Sequence, residues 1–180
     1  MQSRPLFAPW RMDYIKSVVK GDDGDACFLC AAADASATPE TRRQTLTLWT
    51  TDHTAVVVNR YPYTNGHLLI APRAHKANLE DLTDAEHLDL QRQTTEAIKL
   101  LKRAMSPQGF NIGINLGRCA GAGLPGHLHQ HVVPRWNGDT NFMGVVGEVR
   151  VVPQAMSQLY EELVRVRGQM TNDETRMTNQ

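Results

Sequence analysis

The chain has 180 residues, 41% of them apolar and 21% charged, enough for one globular domain with its own core. Basic and acidic residues balance at 19 each, so no global field draws the chain onto nucleic acid or an anionic membrane, although a small phosphate site stays open. No apolar run approaches the roughly 18 residues of a membrane span. MQSRPLFAPWRMDYI lacks the apolar stretch of a signal peptide. Three cysteines, two of them in CFLC, make no secreted disulfide framework. The expectation is a cytoplasmic protein whose partners include neither nucleic acid nor membrane.

Residues 1–43 read as an N-terminal arm with aromatic anchors (Phe7, Trp10, Tyr14), a Gly/Asp turn, the CxxC segment and a small-residue loop over 31–44. A domain follows over 44–168. TLTLWT and TAVVVN are β-rich runs joined at Thr51–Asp52, a predicted hairpin. HLLIAP is a third strand, ended by Pro72. Asp81 to Met105 is a long helix, with Thr83 as N-cap and Glu86 as its capping-box partner. Its apolar stripe is Leu90, Ala97, Ile98, Leu101 and Met105. GFNIGINL is a strand, GRCAGAGLPG a glycine loop, HLHQHVVPRW a strand, EVRVVP a short edge strand. A terminal helix spans Gln154 to Val166, and 169–180 is a polar tail. Strands interrupted by one long helix predict an α+β fold with a largely antiparallel sheet.

Within GHLHQHVVPRW, three of the chain's seven histidines stand two apart. On a strand, His127, His129 and His131 share one face, roughly 6.5–7 Å apart, while Leu128, Gln130 and Val132 point the other way. A solvent-facing polar stripe would explain one such histidine better than three. The preceding loop carries Gly117, Gly121, Gly123 and Gly126, whose freedom lets backbone N–H groups approach an anion. Imidazole attacks phosphorus competently when neutral, and a second imidazole can donate a proton to the departing oxygen. His53, in the hairpin turn, and His87, on the long helix, read as surface residues.

HLHQHVV resembles the signature of the histidine triad (HIT) family, His-x-His-x-His followed by apolar residues. VNRYPYTNGHLLIAPRAH resembles the family's upstream hairpin, in which a short acidic or amide side chain, here Asn59, stands eight residues before a histidine, here His67. WNGDTNFM, the APWRMDYI arm and the length look most like bacterial diadenosine tetraphosphate phosphorylases and their relatives. The resemblance covers residues 5 to about 165. It implies a five-stranded antiparallel sheet with one long helix and a C-terminal helix, paired as a homodimer. It also implies a reaction: His129 attacks the α-phosphorus of a purine nucleotide or dinucleoside polyphosphate, and water or phosphate resolves the nucleotidyl-histidine. His131 would assist, Asn59 would hold the ribose, His67 would lie near the α-phosphate, and Asn115 would stand at the strand end before the phosphate loop. Many relatives carry Ser, Thr or Gln three or four residues before the first triad histidine. Gly123 and Leu124 stand there in this chain, so backbone amides or Arg118 would have to substitute.

Cys27 and Cys30 form either a redox pair or half of a zinc site. In zinc-bearing relatives the corresponding histidines complete a Cys2His2 set, which implies a structural Zn2+ held by Cys27, Cys30, His75 and His127. The rival is two reduced cysteines beside a hydrogen-bonded His127. Rival activities are a nucleoside phosphoramidase or broad nucleotide hydrolase and, from another class, a non-catalytic nucleotide-sensing protein.

Overall fold

The computed structural model describes residues 27–140 and 153–178, with side chains up to 173. The aromatic arm and most of the expected edge strand EVRVVP lie outside these residues. Two short helices come first, α1 (Phe28–Ala32) and α2 (Pro39–Thr45). The sequence reading of 31–44 as a loop is therefore corrected. Thr38 caps α2, its hydroxyl accepting from Thr41 N–H at 3.2 Å, with Pro39 in the first turn and Glu40 behind it. That is a helix-start signal, since proline's missing N–H costs nothing there. A domain boundary at 43/44 would cut through α2.

The hairpin follows as β1 (Thr47–Thr50) and β2 (Thr54–Val58), then β3 (Leu68–Pro72), α3 (Asp84–Met105), β4 (Gly109–Ile114), β5 (Gln130–Arg135) and α4 (Met156–Thr178). The five strands form one antiparallel sheet in the order β1-β2-β3-β5-β4. The expected α+β architecture, five strands with one long and one C-terminal helix, is what the chain adopts. The capping box at Thr83 and Glu86 starts α3 as the sequence implies. α3 lays Leu90, Ala97, Leu100 and Leu101 on one face of the sheet, against Val56, Leu68, Ile70 and Val132. Each buried leucine, isoleucine or valine among them contributes about 1.5–3 kcal/mol of transfer free energy.

Several boundaries differ from the sequence reading: α3 begins at Asp84 rather than Asp81, and α4 at Met156 rather than Gln154. α4 runs to Thr178 rather than stopping at Val166, so 169–178 is no loose tail. Met170 packs against the core, and Asp173 pairs with Arg103 of α3 at 2.6 Å. Further back, Arg167 lies 4.2 Å over the Trp49 ring. The last strand begins at Gln130, not His127. β3 reaches only Pro72 in that direction, and proline has no N–H to extend a ladder. Leu128 N–H turns instead to Lys76 C=O at 2.7 Å. The alternation survives the change. Gln130 points at α3, donating to Thr94 Oγ1 at 2.7 Å, while His131 lies on the opposite face beside Leu69.

Candidate active site

Four pieces of chain meet on the face away from α3: the end of β2, the entry to β3, the segment after β3, and the start of β5. Asn59 N–H donates to His67 C=O at 2.9 Å, so these two residues sit opposite each other as the β2–β3 ladder closes. The pairing of Leu69 with His131 brings β5 alongside.

His129 is buried, and its Nδ1–H donates to the backbone carbonyl of His127 at 2.8 Å. A neutral imidazole carries one proton, so Nε2 is left with a lone pair. Burial lowers the His129 pKa, against the opposing effect of the His127 carbonyl, and favours the neutral ring. The His131 ring packs edge-on to it with centroids 5.0 Å apart. Burial, with a smaller contribution from His129, holds His131 down to about 4.

His67 is fully buried. It stands beside His131, with Nε2 at 3.0 Å from His131 Nδ1. Asn59 Oδ1 accepts from Tyr61 N–H at 3.0 Å, and its Nδ2 sits against the His67 ring, 3.1 Å from Nδ1 and 3.5 Å from Nε2. Asn115 is half-buried just beyond β4, and Gly123 is half-buried in the glycine loop. Arg118 is exposed at the start of a 3-10 turn, Arg118–Ala120. Gly117 and Gly121 have φ of 77° and 91°, a conformation side-chain-bearing residues avoid, and they close this turn. The amides of Ala120, Gly121 and Ala122 are bonded to the carbonyls of Gly117 and Arg118.

Cys27, Cys30, His75 and His127 form a second cluster, whose donor atoms all lie within 4.8 Å of one another. Cys27 Sγ is 3.2 Å from His127 Nδ1, and Cys30 Sγ is 3.2 Å from His75 Nδ1 and 3.6 Å from His127 Nδ1. A tetrahedral ion with bonds of about 2.0–2.3 Å needs donors about 3.3–3.8 Å apart; the three sulfur–nitrogen contacts are close to that spacing, and the widest pairs, up to 4.8 Å, would have to draw in for the set to hold zinc. His127 Nε2–H donates to Pro72 C=O at 2.8 Å, which turns its Nδ1 lone pair toward the sulfurs. Burial, with Cys27 adding hydrogen-bond and charge effects, pushes the Cys30 thiol up to about 11.

Lys76 joins the two clusters, and the sequence reading does not single it out. Its carbonyl holds Leu128 N–H, between His127 and His129. Its ammonium meets the buried Glu86 carboxylate at 2.6 Å. Burial alone would raise the Glu86 pKa, but donors from Lys76 and Thr83 outweigh it and hold the group at about 2. The capping-box spacing is the one signal of this clamp in the sequence.

The HIT-domain family model matches residues 40–138. The chain belongs to the HIT family. An AP-4-A phosphorylase of Mycobacterium tuberculosis is 39% identical over 155 residues, covering 86% of this chain and 80% of that protein. An asymmetrical bis(5'-nucleosyl)-tetraphosphatase of Schizosaccharomyces pombe is 35% identical over 85 residues, covering 47% of this chain and 46% of that protein. Among solved structures, a zinc-bound HIT protein from Mycobacterium smegmatis superposes with a TM-score of 0.64 at 23% identity, covering 82% of this chain and 97% of that one. As in that HIT neighbour, the fold is the shared feature at this identity. No helix among the described residues of this HIT protein is long and apolar enough to cross a membrane.

Proposed function

We propose that this HIT protein is a nucleotidyltransferase of dinucleoside polyphosphates, acting through a nucleotidyl-His129 intermediate, with inorganic phosphate as the acceptor. The observation that carries the reading is the His129 hydrogen bond. With Nδ1–H committed to the His127 carbonyl at 2.8 Å, the unprotonated Nε2 of a buried, neutral ring is ready to attack. Nε2 bonds to the α-phosphorus as the bond to the departing polyphosphate oxygen breaks, the electron pair leaving with that oxygen. Phosphate oxygen then displaces Nε2 from phosphorus and frees His129. His131 hydrogen-bonds the departing oxygen, and the spare hydrogen-bonding capacity of Asn59 and Asn115 meets the nucleotide. With the amides of 120–122 occupied, phosphate binding falls to the backbone around Gly123 and to Arg118.

Phosphate is preferred over water because the AP-4-A phosphorylase relative is similar over most of both chains, whereas the tetraphosphatase match spans under half of each. The metal reading is that Cys27, Cys30, His75 and His127 hold a structural zinc, which when bound would pin the first residue of the triad. The same cluster without metal, as reduced thiols beside His127, is the alternative. The homodimer reading rests on β4, an edge strand that exposes Ile112, with Leu116 exposed just beyond it.

The test is incubation with diadenosine tetraphosphate, with and without inorganic phosphate, followed by chromatography. ADP and ATP formed only with phosphate is the expected result. AMP and ATP without phosphate would replace phosphate by water as acceptor. Turnover of adenosine phosphoramidates in preference to dinucleotides would favour the phosphoramidase. Tight AMP binding with no turnover of either would favour a sensing role.

A further inference from the structure

Two imidazoles, His67 and His131, face each other at the site, and their protons are ordered by a main-chain group that cannot itself change protonation. Tyr63 N–H donates to His67 Nδ1 at 3.1 Å. A backbone amide only donates, so Nδ1 of His67 holds a lone pair and its proton sits on Nε2. That N–H faces His131 Nδ1 at 3.0 Å, and two N–H groups cannot face each other at this distance. His131 Nδ1 therefore accepts, and the His131 proton sits on Nε2. This Nε2 is buried and has no hydrogen-bond partner among the described residues. An unsatisfied buried donor is unfavourable unless a ligand completes it. The Tyr63 ring stacks on His131, centroids 5.7 Å apart and planes 26° apart, and lies 4.8 Å from His67. Tyr63 thus engages the pair twice, with its amide and with its ring.

We propose that His67 is a positioning residue which transmits the direction of the Tyr63 amide to His131, so that His131 presents an N–H at Nε2 while His129 presents a lone pair at the same ring position. His129, just before β5, and His131, on it, thus stand in opposite tautomers, one to attack phosphorus and one to hydrogen-bond the oxygen that leaves. A protonated His131 would put a second N–H against His67, so the relay also keeps that ring neutral, in the same sense as its burial. The His129 tautomer is set separately, by the His127 carbonyl. The functional half of this proposal rests on the nucleotidyl-histidine reading; the tautomers do not.

The experiment is a long-range proton–nitrogen correlation spectrum of the 15N-labelled protein without substrate, near pH 7.5, which distinguishes the two neutral imidazole tautomers. His67 and His131 should both be Nε2–H, and His129 Nδ1–H. A His131 in the Nδ1–H form, or an even mixture, overturns the proposal. Two variants carry it to function. His67→Gln keeps an N–H near the Nε2 position and should keep the His131 tautomer; His67→Leu removes the donor and should let His131 populate both. In His67→Leu kcat should fall about a hundredfold, the loss usual for one misaligned donor to a developing anion, and the loss should be largest for poor leaving groups. Equal losses in both variants, or a loss in KM alone, overturns the positioning role. If no substrate turns over, the reaction reading fails while the wild-type spectrum still decides the tautomers.

Discussion

At the scale of single residues, His129 is defined by what its neighbours leave free. One nitrogen is committed to a main-chain carbonyl and the ring is too buried to hold a charge easily. His129→Ala should therefore lower turnover by at least about a thousandfold while nucleotide binding and melting temperature stay near wild type. Comparable kcat in that variant would remove the nucleophile assignment. The roles of the triad also differ by partner rather than by type. His127 faces sulfur, His129 a carbonyl, His131 another histidine. His131 gives a stability prediction with a definite sign. Its pKa is about 4 in the fold against an ordinary 6.5, through burial first and His129 second. As pH falls, the unfolded chain binds the proton before the folded one. The stabilisation is complete above pH 6.5, the ordinary value, and is lost progressively down to about pH 4. The melting temperature should fall with acid across that window, with a shallower slope in His131→Gln. An unchanged slope would show that this ring is not the group responsible.

At the scale of elements, the start of α3 does more than begin a helix. Thr83 accepts from the Glu86 N–H and Glu86 from the Thr83 N–H, and the same Glu86 carboxylate receives Lys76. Through Lys76 C=O and Leu128 N–H, the helix start is tied to the backbone between His127 and His129. Lys76→Met leaves a buried carboxylate without its cation and should cost about 3 kcal/mol of stability. Because Lys76 also follows His75, zinc affinity should drop about tenfold or more, by chelator competition. Leu163→Ala, a fully buried side chain on α4, should cost about as much in thermal denaturation. It should leave zinc affinity intact, and a loss there as large as in Lys76→Met would reduce the clamp to ordinary stability. The capping box, the hairpin and the strand ended by Pro72 were legible because caps, turns and proline act locally. The start of β5 was not, because it depends on where a neighbouring strand runs out of N–H donors. Helix α2 carried its Thr-Pro-Glu signal openly, but the small residues around it read more readily as loop.

At the scale of the whole molecule, the candidate metal cluster joins α1, the segment after β3 and the start of β5. Holding zinc would need Cys30 as thiolate, and its thiol titrates at about 11 because burial and Cys27 disfavour the charge. Binding must release protons, so zinc affinity should climb with pH, measurable by competition titration between pH 6 and 8. A pH-independent affinity would speak against the cysteine ligands. Chelation should lower the melting temperature and, through the His127 carbonyl that orients His129, also slow turnover. At the sheet edge, Ile112 is 47% exposed, large for an isoleucine on a strand. Ile112→Lys should yield a monomer in sedimentation velocity if β4 forms the dimer seam, whereas an unchanged mass would move the interface elsewhere.

The sequence by itself determined the antiparallel α+β plan and the alternation that puts the three histidines on one side, because these follow from local periodicity; that His75 and His127 stand with the CxxC was implied by the family resemblance alone, since they lie far from it in the chain. Only the tertiary structure decided which nitrogen each histidine offers. That depends on donors and acceptors distant in the chain: Pro72 for His127, and Tyr63 acting through His67 for His131. Two imidazoles two residues apart have the same chemistry in sequence. They become different reagents when folding aims a carbonyl at one and an N–H at the other.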